Sequence, residues 1–185
     1  MEGYMIISIF GKSGSGKTYL SSKLHKDLPN SIHLDLDTLN QDLLQLDRVK
    51  DFAINLFETN DIIINGKLDK GAIYHLIKID LDKYTIWTNY MASECIEFVK
   101  NYIHSTTFDY YIIDHMRAGI IDFADVKIEC VADFDTRLQR LQKREYISSS
   151  TLQFRDEKYF DSSSNISFDG KNYNNIIEYI KGANK

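Results

Sequence analysis

Met5-Ile6-Ile7-Ser8-Ile9-Phe10-Gly11-Lys12-Ser13-Gly14-Ser15-Gly16-Lys17-Thr18 is the stretch on which the reading of this chain turns. Its first six residues form a nearly continuous apolar run, the pattern of a strand buried on both faces of a parallel sheet. The next eight match G-x-x-x-x-G-K-[ST] at every fixed position. Leu20, Leu24 and Leu28 then fall on one face of a helix expected to begin at Lys17 and to stop before Pro29. Glycines let such a loop curl with its N–H groups pointing inward, which makes an anion nest. The helix N-terminus adds positive potential for phosphates. Lys17 is placed to reach β- and γ-phosphates, and the Thr18 hydroxyl to ligate Mg²⁺. A chance Gly/Ser turn would not need a strand before it and a helix after it. Gly11 to Thr18 are therefore the candidate nucleotide-binding residues, with ATP and Mg²⁺ as the expected cofactors.

Working outward, Ile32 to Leu36 reads as a second strand, and Leu39 to Phe57 carries apolar residues at helical spacing. Ile62-Ile63-Ile64 followed by Asn65-Gly66 reads either as a short strand or as a turn between helices. Ala72 to Ile79 and Met91 to Ile103 look helical. Tyr110 to Asp114 and Val126 to Ala132 look like further strands, and Phe134 to Ile147 like a helix rich in Arg. Ser148 to Ser164 is polar and Ser-rich and reads as a mobile excursion. Ile176 to Ile180 closes the chain as a helix. Strands alternating with helices predict an α/β fold, a P-loop NTPase/kinase-like parallel sheet flanked by helices. The expected organisation is one domain, with a core of residues 1–37, 106–146 and 165–185, a helical substrate insertion over about 38–105 and a lid over about 147–164.

Composition narrows the class. The chain has 185 residues, 43% hydrophobic and 26% charged, with one Pro and nine Gly, which suits a globular domain and no linker architecture. Its net charge of −5, from 22 basic and 27 acidic residues, argues against a nucleic-acid partner. Cys95 and Cys130 lie far apart and read as reduced structural thiols. No apolar run approaches the ~18–20 residues of a membrane span. The expectation is a cytoplasmic protein with a small-molecule substrate and no membrane partner; the oligomeric state is left open.

Asp35-Leu36-Asp37 falls where the second strand ends, and strand alternation would put both acids on one face, at the carboxyl edge where ligands bind. A small-molecule kinase needs one carboxylate to receive the acceptor's proton and others near Mg²⁺. Asp37 serves equally as a helix cap on the other reading. Asp114, ending the third core strand, is a water-mediated Mg²⁺ partner or a strand-end cap. Arg137, Arg140, Arg144 and Arg155 gather on and after one helix, with Arg140 and Arg144 four apart and so on one face. Arginines of this kind stabilise charge on a transferring phosphoryl group. The competing reading is a solvated face paired with Asp133, Asp135 and Glu145.

Taken in order, the phosphate loop, Asp35-Leu36-Asp37, Asn65-Gly66-Lys67-Leu68-Asp69-Lys70, and Arg140-Leu141-Gln142-Lys143-Arg144 with Arg155 resemble the dephospho-coenzyme A kinase family. The resemblance implies transfer of the ATP γ-phosphoryl to the ribose 3′-hydroxyl of dephospho-coenzyme A. It implies Asp37 as base, Asp35 organising Mg²⁺, Arg140, Arg144 and Arg155 facing the nucleotide, and Phe168-Asp169-Gly170 beside the adenine. The chain departs from the family pattern mostly on the acceptor side. Gln41 stands where the family has Arg, and Asp114 is followed by His115-Met116-Arg117-Ala118-Gly119 in place of a Pro-Leu-Leu-Phe-Glu run. Asn89-Tyr90 replaces a His-Pro pair, and Tyr159 replaces a Gln. Arg117 is either a substitute anchor for an anionic acceptor or a surface residue. Two other readings stand beside this one: a P-loop kinase for a nucleoside, nucleotide or other hydroxylated metabolite, and a P-loop regulator that binds nucleotide without turnover.

Overall fold

The computed structural model describes residues 3–116, 121–144, 147–157 and 163–183. Arg117, Ala118, Gly119, Glu145 and Tyr159 therefore lie outside the described residues, as do residues 158–162 of the expected lid.

Backbone contacts divide the chain into two units: Met1–Asp35 with Thr107–Lys185, and Leu36–Thr106. The first unit holds the strands β1 (Met5–Phe10), β2 (Ser31–Asp35), β5 (Tyr110–Asp114), β6 (Val126–Cys130) and β7 (Ile166–Phe168). They pair in the order β2-β5-β1-β6-β7, every pair parallel. All six residues of β1 are buried, which is what its central place demands. Alternation sends Ile7, Ile9, Ile112, Val126, Ile128 and Phe168 into one core cluster. Leu20, Leu24 and Leu28, along α1 (Lys17–Asp27) and its C-cap, join it with Ile176 and Ile180 of α8 (Tyr173–Ala183). Each such side chain, fully buried, contributes ~1.5–3 kcal/mol. β7 was not apparent in the sequence: it has only three residues, and its pairing with β6 supplies the reason for its extended form.

α6 (Phe134–Gln142) starts at Asp133, whose side chain accepts from the Thr136 amide at 2.8 Å, and it is shorter than the helix expected to reach Ile147. The chain turns after Gln142 so that buried Ile147 packs with Leu141 and Leu152. Leu152 lies on α7 (Ser149–Glu157) and is fully buried. The stretch expected as a mobile polar excursion thus contains a helix anchored by one apolar side chain.

The second unit contains α2 (Leu36–Leu43), α3 (Asp47–Phe57), a hairpin of β3 (Ile63–Ile64) and β4 (Lys67–Leu68), α4 (Lys70–Ile79) and α5 (Leu81–Ser105). Asn65 and Gly66 between the two strands have φ of 52° and 75°, the paired positive values of a two-residue Asn-Gly hairpin turn. Asp69 caps α4 and Asp80 caps α5, each accepting from the amide three residues on. Trp87, Met91, Cys95, Val99 and Ile103 are buried at four-residue spacing along α5. Among the described residues, no helix is long and apolar enough to cross a membrane.

Candidate functional site

β1 runs into the loop Gly11 to Gly16 at the carboxyl edge of the sheet, and α1 starts at Lys17. The connection from β1 runs through α1 to β2 on one side, and the connection from β5 runs to β6 on the other, so the loop sits at the switch point where α/β sheets bind ligands. Gly11, Gly14 and Gly16 have φ of 143°, 80° and 110°. At Gly11 the need for glycine is steric: a Cβ would stand 2.4 Å from the Cys130 carbonyl oxygen and 2.9 Å from Ser15 Oγ. Gly16 caps α1 in a left-handed conformation and contributes no side-chain hydrogen bond. Lys17 Nζ donates to the Gly11 carbonyl at 3.1 Å and to the Lys12 carbonyl at 3.4 Å. Thr18 is exposed in the first turn, beside exposed Tyr19.

The acids at the strand ends stand next to this loop. Asp114 is paired in register with Ile9 on one side and with Asp35 on the other. It is buried, 3% exposed, and its Oδ2 has no hydrogen-bond partner. His33 Nε2, likewise buried and unpartnered, lies 3.6 Å from that oxygen, beyond hydrogen-bond length. Ser15 Oγ is a third buried polar atom without a partner. Burial pushes the Cys130 thiol up to about 12; the Lys17 ammonium opposes that shift, while Asp114 and Glu129 add to it. Lys17 Nζ on the Gly11 carbonyl just past β1, and Asp114 in register with Ile9 of β1, place these two charges at the same sheet edge.

Asp37 is a different case. The chain leaves β2 at Asp35 and is helical from Leu36, so Asp37 lies in the first turn of α2. Strand alternation therefore does not relate it to Asp35, contrary to the expectation from sequence; a helix start takes over one residue sooner. Asp37 is exposed, and an acid in a first turn is favoured by the helix dipole. Burial pushes the Cys95 thiol up to about 12, with Asp37 and Glu94 adding to the shift.

The arginines separate. Arg140 Nη1 donates to the carbonyls of Gly14 and Ser15 at 3.1 and 3.2 Å, so it lies on the phosphate loop. Arg144 falls beyond the end of α6, exposed in the turn that follows, and does not share a helical face with Arg140. Arg155 is half-buried on α7. Asp169 is exposed, and the amides of Lys171 and Asn172 donate to its Oδ1, which lowers its pKa. Arg137, grouped in the sequence with the other arginines as a stabiliser of phosphoryl charge or as part of a solvated face, is neither exposed nor free. It is 4% exposed and donates to Ser13 in the loop, to Ala132 and to Asp156. Its position three residues before Arg140 was visible; its burial was not.

The loop fits the phosphates of a nucleotide. Its curled backbone, the start of α1 and the Lys17 ammonium supply N–H donors and charge. The orphaned Ser15 hydroxyl and Asp114 carboxylate oxygen are groups that a phosphate-bound Mg²⁺ and its waters would satisfy. Among the described residues, no three His, Cys, Asp or Glu side chains gather into a metal cage. Thr18 and Asp114, with Asp35 beside it, would be the protein's contribution to an ion held chiefly by phosphates and water.

No protein-family profile matches the chain. No curated protein matches it. Solved structures do. TT1252 from Thermus thermophilus aligns with a TM-score of 0.77 at 16% identity over 97% of both chains. The tunicamycin resistance protein of Deinococcus radiodurans aligns at 0.53, with 16% identity over 97% of this chain and 95% of that one. A deoxyadenosine kinase from M. mycoides, solved with dCMP and dCDP, aligns at 0.50, with 16% identity over 96% and 97%. The likeness runs along nearly the whole chain in each case and is one of fold: a P-loop kinase-like α/β architecture with a parallel sheet flanked by helices.

Proposed function

We propose that this protein is an ATP-dependent small-molecule kinase. The observation that carries the reading is the phosphate loop with its surroundings: Lys17 and Arg140 on the loop carbonyls, and an unpartnered buried Asp114 oxygen on the strand next to β1. Phosphoryl transfer needs cations and dipoles aimed at the transferring group more than it needs covalent chemistry. On this reading Lys17 and the loop amides hold the phosphates. Thr18, Asp35 and Asp114 arrange Mg²⁺ and its waters. Arg140, Arg144 and Arg155 meet charge that develops on the γ-phosphoryl. Asp37 receives the acceptor's proton, with the helical insertion of about 38–105 binding the acceptor and residues of about 147–164 serving as lid.

The acceptor favoured by the motif resemblance is dephospho-coenzyme A, phosphorylated on its ribose 3′-hydroxyl. A nucleoside or nucleotide acceptor is the second reading, supported by the kinase among the structural relatives. ADP release coupled to a panel of hydroxylated acceptors, dephospho-coenzyme A and deoxynucleosides included, decides between them. Asp37→Asn should lower turnover by about 10²–10⁴ with ATP binding unchanged. Asn caps a helix as well as Asp does, so wild-type turnover in this variant would remove Asp37 from the mechanism. ATP binding without ADP release on any acceptor would favour a nucleotide-binding regulator.

A further inference from the structure

Arg137 is a buried cation that joins three separate segments. Its Nε donates to the Ala132 carbonyl at 3.2 Å. Its Nη1 donates both to the Ser13 carbonyl at 3.2 Å and to Asp156 Oδ1 at 2.9 Å. Its Nη2 donates to Asp156 Oδ2 at 2.5 Å. Four of the five guanidinium N–H bonds are thereby spoken for. The backbone of α6 closes on the loop at the same point: a Cβ on Gly14 would stand 2.9 Å from the Arg137 carbonyl oxygen and 3.1 Å from Arg137 Cβ. Asp156 is the residue after Arg155 on α7.

A buried ion pair is a poor device for stability alone, because desolvation of both charges offsets most of the attraction. What it supplies is geometry. The guanidinium is a rigid planar fork, and its donors fix angles as well as distances. Here that fork fixes the mid-loop carbonyl of Ser13 and the carboxylate of α7 against each other. We infer that Arg137 is a positioning residue: it sets the shape of the phosphate loop and the orientation of α7, and with it the side from which Arg155 is presented, as one coupled arrangement. The inference rests on the reading of the loop as the ATP site, but the coupling itself does not.

Asp156→Asn tests it, since it keeps the shape of the side chain and removes the charge. Hydrogen exchange is followed in peptides covering residues 11–18 and 149–157, together with ATP affinity and steady-state kinetics. Exchange should quicken in both segments. KM for ATP should rise about tenfold, within the range of ordinary site-to-site coupling, with kcat changed much less. Asp156→Glu, which restores a carboxylate, should recover part of the loss. Faster exchange in 149–157 alone, or ATP affinity equal to wild type, would overturn the inference. If Asp156→Asn does not fold, Arg137→Lys is read by the same criteria, because it keeps the buried charge and loses the fork. A wild-type protein that binds no ATP would end the kinase reading, while joint loosening of the two segments would still support the strut.

Discussion

Gly11→Ala should be among the most damaging single-methyl additions in this chain. The added Cβ would lie 2.4 Å from the Cys130 carbonyl oxygen, where a carbon–oxygen contact normally needs about 3.3 Å. The obstacle is backbone at the end of β6, which is held by parallel pairing to β1 and to β7, so it cannot swing aside as a side chain would. A φ of 143° adds a conformation that alanine rarely takes. Strain of that kind costs ~1–3 kcal/mol, and forcing an extra methyl into a packed site costs ~1–3 kcal/mol more. Together that is roughly 2–6 kcal/mol, a large part of a typical domain stability of ~5–15 kcal/mol. Gly66→Ala isolates the backbone share, because its φ is 75° and nothing stands within 4 Å of the new atom; it should cost ~1–2 kcal/mol. Urea unfolding of both variants, with the slope m unchanged, measures the difference. A Gly11→Ala midpoint no lower than that of Gly66→Ala would refute the close approach of the loop to β6.

Leu152→Ala, at a fully buried position between Leu141 and Ile147, should lower stability by ~2–5 kcal/mol in denaturant titrations. Lys17→Ala should abolish ADP release while leaving the unfolding midpoint near wild type, since Lys17 Nζ donates to the loop carbonyls of Gly11 and Lys12 and is not part of the apolar core; turnover within a few-fold of wild type would end the phosphate-loop reading. The Cys95 and Cys130 thiols, both pushed up to about 12 from an ordinary value of 9.0, should resist a thiol reagent at pH 8 until the protein is unfolded. Because burial favours their neutral form, they support stability below pH 9 and withdraw that support as the pH rises from 9 towards 12. Stability that stayed level over that range in a pH series of melts would contradict the burial of both.

The sequence alone determined the phosphate loop and the strand and helix on either side of it, because that chemistry is local. Six apolar residues, glycines at fixed spacing and Lys17-Thr18 carry their reasons within one short stretch. The parallel α/β class followed from strands alternating with helices, and Asp114 was legible as an acid at a strand end. Other features had no local cause and came only with the tertiary structure. β7 is extended because β6 lies beside it. α6 stops at Gln142 because Ile147 and Leu152 fold back on Leu141. Asp37 is helical because α2 starts at once after β2, a boundary that alternating acids cannot reveal. Arg137 differs from Arg140 and Arg144 in nothing that a one-dimensional pattern contains. It became the joint of the site because it is buried against the loop, where a guanidinium must find acceptors: Ala132 provides one from five residues back, and Ser13 and Asp156 provide the others from elsewhere in the chain.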